Sequence, residues 1–84
     1  MASLFYLKIT SPSGLVFGAN VKSISSYNDL GKFDVLKDHT NFISIIKKQV
    51  EVIDESGEYK VFTLDNGIIR VISNIVDVYV GIGE

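Results

Sequence analysis

Cysteine and tryptophan are absent from this 84-residue chain, and proline, methionine and histidine each occur once. Without cysteine there is no disulfide framework and no thiolate zinc centre. The fold must rest on packing alone, which suits a reducing cytoplasm. A surplus of one charge is lacking too. Eight Lys+Arg against ten Asp+Glu leave a net charge of -2, whereas nucleic-acid binders carry a basic surplus. No run approaches the 18 apolar residues of a membrane-spanning helix, and residues 1–7 offer no basic segment ahead of a long apolar one. The expectation is a soluble chain that reaches a membrane only through a partner.

What the chain does have is β-branched residues. Val and Ile supply 21 positions, against 9 for Leu, Ala and Met together. Side chains that are stiff at χ1 favour strands, and scarcity of Leu and Ala argues against long helices. Phe5, Leu7 and Ile9 alternate with Tyr6, Lys8 and Thr10, the period of a half-buried strand. Pro12-Ser13-Gly14 reads as a turn. Ala19 and Val21 share one parity while Ile24 has the other, so a strand burying all three needs a one-residue bulge near Lys22-Ser23. Asn28 to Gly31 is a second turn, followed by a short strand over Lys32–Leu36. Asn41–Ile46 is apolar at both parities and predicts a strand buried on both faces. Asp54 to Gly57 and Asp65-Asn66-Gly67 read as hairpin loops, the latter as an Asn-Gly primed turn. Ser73-Asn74 is a hinge before a last strand over Ile75–Ile82. Residues 1–84 are thus expected to form a single all-β domain, a small β-sandwich of two antiparallel sheets with about 8–10 short strands.

No constellation of catalytic residues stands out. His39 has Asp38 beside it, but adjacent residues in an extended segment point apart, and no nucleophile is at a suitable spacing. A turn histidine bonded to backbone is the simpler reading. Asp54-Glu55-Ser56-Gly57-Glu58 lacks the ligand rhythm of a calcium loop. Gly81-Ile82-Gly83 has no helix after it to hold a phosphate. Lys47 and Lys48, if in a regular strand, face opposite sides. The nine aromatic residues are scattered among apolar neighbours, with Tyr6 and Tyr27 at outer or edge positions. Taken alone, these residues describe a β domain that works by presenting surface.

Three segments supply a resemblance: "LKITSPSGLVF", "GKFDVLKDHTNFISII" and "NGIIRVISNIVDVYVGI". Together they resemble the N-terminal β-sandwich of the epsilon subunit of bacterial F-type ATP synthases, the counterpart of the mitochondrial delta subunit. The second segment is similar to a family pattern G-x-[FL]-[GD]-[IV]-L-P-x-H-A-x-[FL]. The chain departs from it with Lys37 for the usual Pro and Thr40 for the usual Ala, and Lys32 stands where family members often carry an acid.

The resemblance implies a non-catalytic rotor subunit of the central stalk, with no cofactor and no metal. Such a subunit joins the gamma subunit to the polar loops of the c-ring and couples proton translocation to ATP synthesis. It is peripheral, on the cytoplasmic face of the bacterial plasma membrane. By the same resemblance Tyr27, Asn28, Asp29, Leu30, Gly31 and Lys32 face the c-ring, and Thr10, Ser11, Asp38, His39 and Thr40 face gamma. Many family members continue into a C-terminal helical hairpin that can inhibit hydrolysis or bind ATP. Nothing in these 84 residues resembles it, so neither property is expected of them. The alternative is a stand-alone β-sandwich or barrel that binds peptide or nucleic acid, which would show aromatics and lysines together on one exposed sheet face.

Overall fold

A computed structural model describes residues 3–81. Six strands follow one another: β1 (Phe5–Ser11), β2 (Gly14–Asn28), β3 (Gly31–Val35), β4 (Phe42–Asp54), β5 (Tyr59–Ile72) and β6 (Ile75–Val80). The described residues contain no helix. Strand pairing runs β1-β6-β5-β4-β2-β3, and β1 also pairs β2, so five strands close into a ring with β3 at its edge.

The ring is flattened into a sandwich. The first half of β2, β1, β6, the second half of β5 and the first half of β4 make one layer. The other layer contains β3, the second halves of β2 and β4, and the first half of β5. Two corners are turned by the long strands themselves. At the other two, edge strands meet through aromatic rings: Phe17 against Phe62 at 5.4 Å and Phe33 against Phe42 at 5.7 Å. Tilted and edge-on contacts of this kind are the favoured ring geometries.

The alternation read in the sequence sets the core. Phe5, Leu7 and Ile9 of β1, Val21 and Ile24 of β2, Ile69 and Val71 of β5, and Val76 and Val78 of β6 are all buried. Ser26 is the one polar residue among the buried set, and its hydroxyl donates to the Gln49 carbonyl at 2.8 Å. That bond removes the cost of burying it. The parity change in β2 is met as the sequence requires: pairing with β4 skips Lys22, between Val21 and Ser23.

Other expectations need correction. The all-β sandwich stands, but the described strands number six instead of eight to ten. β2, β4 and β5 pass through irregularities where separate strands were expected. One neighbouring pair, β1–β6, is parallel. Asp65-Asn66-Gly67 is no hairpin. It lies inside β5, where Lys47 pairs Asn66 but Lys48 pairs Leu64, leaving Asp65 as the extra residue of a bulge. The primed turn is at Ser73-Asn74, whose φ values of 48° and 65° are both positive as a type I′ turn demands. Asn41–Ile46 is buried on one face only: Ile43 and Ile45 are 68% and 73% exposed. The sequence pattern could not separate these faces because both are apolar. Ile82, expected to end the last strand, lies outside the described residues, as does Gly83.

Gly67 is needed where β5 bends. A Cβ there would stand 2.5 Å from the carbonyl oxygen of Tyr79 on the adjacent strand, and the backbone has no room to retreat without breaking the β5–β6 pairing. We expect Gly67→Ala to cost about 1–3 kcal/mol, the usual penalty of overpacking. Urea unfolding should register a lower midpoint. A midpoint equal to the native one would show that the bend is looser than described.

Candidate functional site

The β1–β6–β5–β4 layer has a continuous outer face, whose composition follows from cross-strand register. One row joins Ile72 of β5, Ile75 of β6 and Tyr6 of β1. The next joins Ile43, Arg70, Asp77 and Lys8. A third joins Ile45, Ile68, Tyr79 and Thr10. Ile72 and Ile75 are 46% and 52% exposed, which with Ile43 and Ile45 makes the face predominantly apolar. Arg70 and Asp77 form an ion pair at 2.8 Å in its middle row. The Asp77 carboxylate, as hydrogen-bond acceptor and counter-charge, raises the pKa of Arg70 further. A contiguous apolar patch of this sort marks an interaction surface more often than chance exposure.

Both ends of this face carry residues assigned by resemblance to gamma. Thr10 closes the third row and Ser11 follows it. Asp38, His39 and Thr40 lie at the other end, beyond the row of Ile72, Ile75 and Tyr6. They are fixed there by Asn74: the Asp38 backbone N–H donates to its Oδ1 at 2.6 Å, and its Nδ2 donates to Asp38 Oδ1 at 3.0 Å. The Asn74 carbonyl accepts from the Tyr6 N–H at 3.1 Å, tying the connection to β1. His39 donates its backbone N–H to Leu36 at 3.1 Å, and its Nδ1 lies 2.8 Å from the Thr40 carbonyl. Its ring packs on Phe42 at 5.0 Å, beside the Phe33 corner. The geometry is that of a turn residue capping an aromatic corner. Among the described residues no acid or nucleophile is hydrogen-bonded to the ring.

The stretch assigned to the c-ring forms the β2–β3 hairpin. Asn28 pairs Gly31, whose φ of 120° suits glycine, and Leu30 at the tip is 97% exposed. Asn28 accepts from the Leu30 N–H at 2.9 Å, an Asx turn that holds the tip, and Asp29 pairs Lys47 at 3.1 Å. Tyr27 and Lys32 are cross-strand partners. They converge on Glu51 of β4, a residue the sequence reading did not single out. Lys32 is 3.4 Å from its carboxylate, the Tyr27 hydroxyl donates at 3.2 Å and the Gln49 amide at 2.8 Å. Lys48, with φ 74° at the bulge, swings over the Tyr27 ring at 5.2 Å. Here too an expectation is corrected. The bulge breaks the alternation, so Lys47 and Lys48 both reach the hairpin side.

This arrangement does not favour the nucleic-acid alternative. The one ring flanked by two lysines is Tyr27, its hydroxyl is committed to Glu51, and Asp29, Asp34 and Glu51 are interspersed. A depression of about 450 Å³ beside Phe17, Asn20, Asp54 and Glu55 is open. Asp54 is already engaged by the Ser56 hydroxyl and the Ser56 and Glu58 N–H groups of its own hairpin. Among the described residues no group of three metal-ligating side chains comes together, and no helix is long and apolar enough to cross a membrane.

The geometry defines a class first: a small β-sandwich that presents a bare apolar sheet face and a rigid polar hairpin. Sequence comparison makes this specific. The family model described as ATP synthase, Delta/Epsilon chain, beta-sandwich domain matches residues 4–82, and the chain belongs to that family. The ATP synthase epsilon chain of Clostridium botulinum Eklund 17B is 31% identical over 80 residues, covering 94% of this chain and 60% of that protein. The corresponding chain of Clostridium novyi is 33% identical over 72 residues, covering 84% and 55%. This chain therefore spans about 60% or less of the length of these relatives. Two solved structures share its fold. The Euglena gracilis mitochondrial ATP synthase (OSCP/F1/c-ring) has a chain with TM-score 0.84 at 20% identity, covering 95% of this chain and 51% of that one. The central stalk/c-ring structure from Tetrahymena thermophila gives 0.74 at 13%, covering 89% and 61%.

Glu51 yields a pH prediction. The Gln49 amide foremost, with Lys32 and Tyr27, holds its pKa below the ordinary 4.5 against the opposing effect of burial. A depressed carboxylate contributes stability above its unfolded pKa and loses it as pH falls through the folded value. The unfolding midpoint should therefore drop as pH falls below about 4.5, and Glu51→Gln should both lower the pH 7 midpoint and flatten that acid limb. Identical acid limbs in native and Glu51→Gln protein would contradict the coupling.

Proposed function

We propose that this chain is the non-catalytic rotor β-sandwich of an F-type ATP synthase, holding the gamma subunit to the polar loops of the c-ring. Clamped in this way, ring and gamma turn as one body, and proton flow is coupled to ATP synthesis. The chain sits peripherally at the cytoplasmic face of a bacterial membrane, which it reaches only through the ring. The carrying observation is the apolar outer face of the β1–β6–β5–β4 layer, bracketed by Thr10 and Ser11 at one end and Asp38, His39 and Thr40 at the other. Gamma covers that face. The hairpin from Tyr27 to Lys32, braced by Glu51 and Lys47, offers Leu30 to a ring loop. Membership of the delta/epsilon family and relatives named ATP synthase epsilon chain support the reading.

Size-exclusion chromatography with the gamma subunit from the same source should give a stoichiometric co-eluting complex. Ile43→Asp should abolish it by placing a charge in the buried apolar face. Leu30→Asp should leave the gamma complex intact while weakening its capture by c-ring in liposomes about tenfold. Separate peaks for native chain and gamma at tens of micromolar, or a gamma complex indifferent to Ile43→Asp, would overturn the assignment.

A further inference from the structure

We propose that the surface covering the β1–β6–β5–β4 face carries a carboxylate that meets Lys8 and Arg70 near the centre of that face. The inference rests on the gamma-docking reading and adds the chemistry the docking surface must have.

The middle row of the face reads Arg70–Asp77–Lys8 across three adjacent strands. Arg70 holds Asp77 at 2.8 Å, and that carboxylate is already mostly enclosed, with its side chain 13% exposed. Lys8 is exposed and has no ion-pair partner among the described residues. The row therefore has two cations and one anion, with Ile43 at its β4 end, Ile72, Ile75 and Tyr6 on one side and Ile45, Ile68 and Tyr79 on the other. While the face is wet, the surplus charge is solvated and costs little. A partner that seals the apolar rows removes water from the row between them, and an uncompensated buried cation is strongly unfavourable. A single acid on an otherwise apolar surface resolves the conflict.

A two-fold axis through Asp77 would stack Asp77 on Asp77 and the Arg70 and Lys8 of each copy on cations of the other, so a second copy centred on the row is repelled. The charge row thus favours an apolar surface with one central acid over a plain apolar surface.

The test is the affinity of the chain for the gamma subunit of its own source, measured calorimetrically at two salt concentrations. Native chain, Lys8→Met, Lys8→Glu and Ile43→Asp are compared, with Val61→Asp on the opposite layer as a surface control and unfolding curves to confirm that each variant folds. Lys8→Glu should weaken binding by about tenfold or more, Lys8→Met by less, and Lys8→Met should also reduce the salt dependence. Ile43→Asp should weaken it strongly, and Val61→Asp should not. If Ile43→Asp weakens binding but Lys8→Glu matches or exceeds native affinity, the face is used without an opposing acid and the proposal fails. If Ile43→Asp binds gamma like native while dissolving a homodimer of the free chain, the face belongs to a second copy. A native chain that does not bind gamma at all refutes the docking reading itself, and the proposal with it.

Discussion

The bending of three long strands from one layer into the other is the constraint on which everything else depends. β2 must skip Lys22, β4 must hold Lys48 at φ 74°, and β5 must accommodate Asp65 and bring Gly67 against the Tyr79 carbonyl. A chain of this size has too little interior for two independent sheets. By sharing strands it encloses a core of 13 buried apolar residues among those described, with few unpaired edges. Where strands do not cross, Phe17–Phe62 and Phe33–Phe42 close the corners.

Function follows from what that architecture leaves uncovered. Between bulges the core residues use one parity of each strand, and in β1, β4, β5 and β6 the other parity still carries Ile and Tyr. The bulge at Lys48 has a second consequence. It turns two lysines toward the β2–β3 hairpin, where Lys47 braces Asp29 and Lys48 sits over Tyr27. Glu51 gathers Tyr27, Gln49 and Lys32 from behind. The hairpin is thus held by its neighbours rather than by its own turn alone.

The all-β class, the bulge at Lys22 and the inward set of β1 and β6 were legible because apolar and polar residues alternate there without ambiguity. The exposed face was not. Asn41–Ile46 is apolar at both parities, and single-strand periodicity cannot say which side a neighbour will cover; only the register against Ile68 and Arg70 does. Asp65-Asn66-Gly67 carried the stronger local turn signal, yet tertiary pairing drew it into a bulge and left the primed turn to Ser73-Asn74. Glu51 escaped notice because its partners come from β2, β3 and β4 and no sequence spacing joins them. Local chemistry reads well in this chain; relations across strands do not.

The central claim, that the β1–β6–β5–β4 layer is the partner face, is tested most directly by hydrogen–deuterium exchange of the chain with and without gamma. The account predicts added protection in β1, β6 and the second half of β5, together with the Asp38–Thr40 connection, while β3 and residues Tyr59–Leu64 exchange as before. Protection confined to β3 and Tyr59–Leu64, with β1 and β6 unchanged, would contradict it.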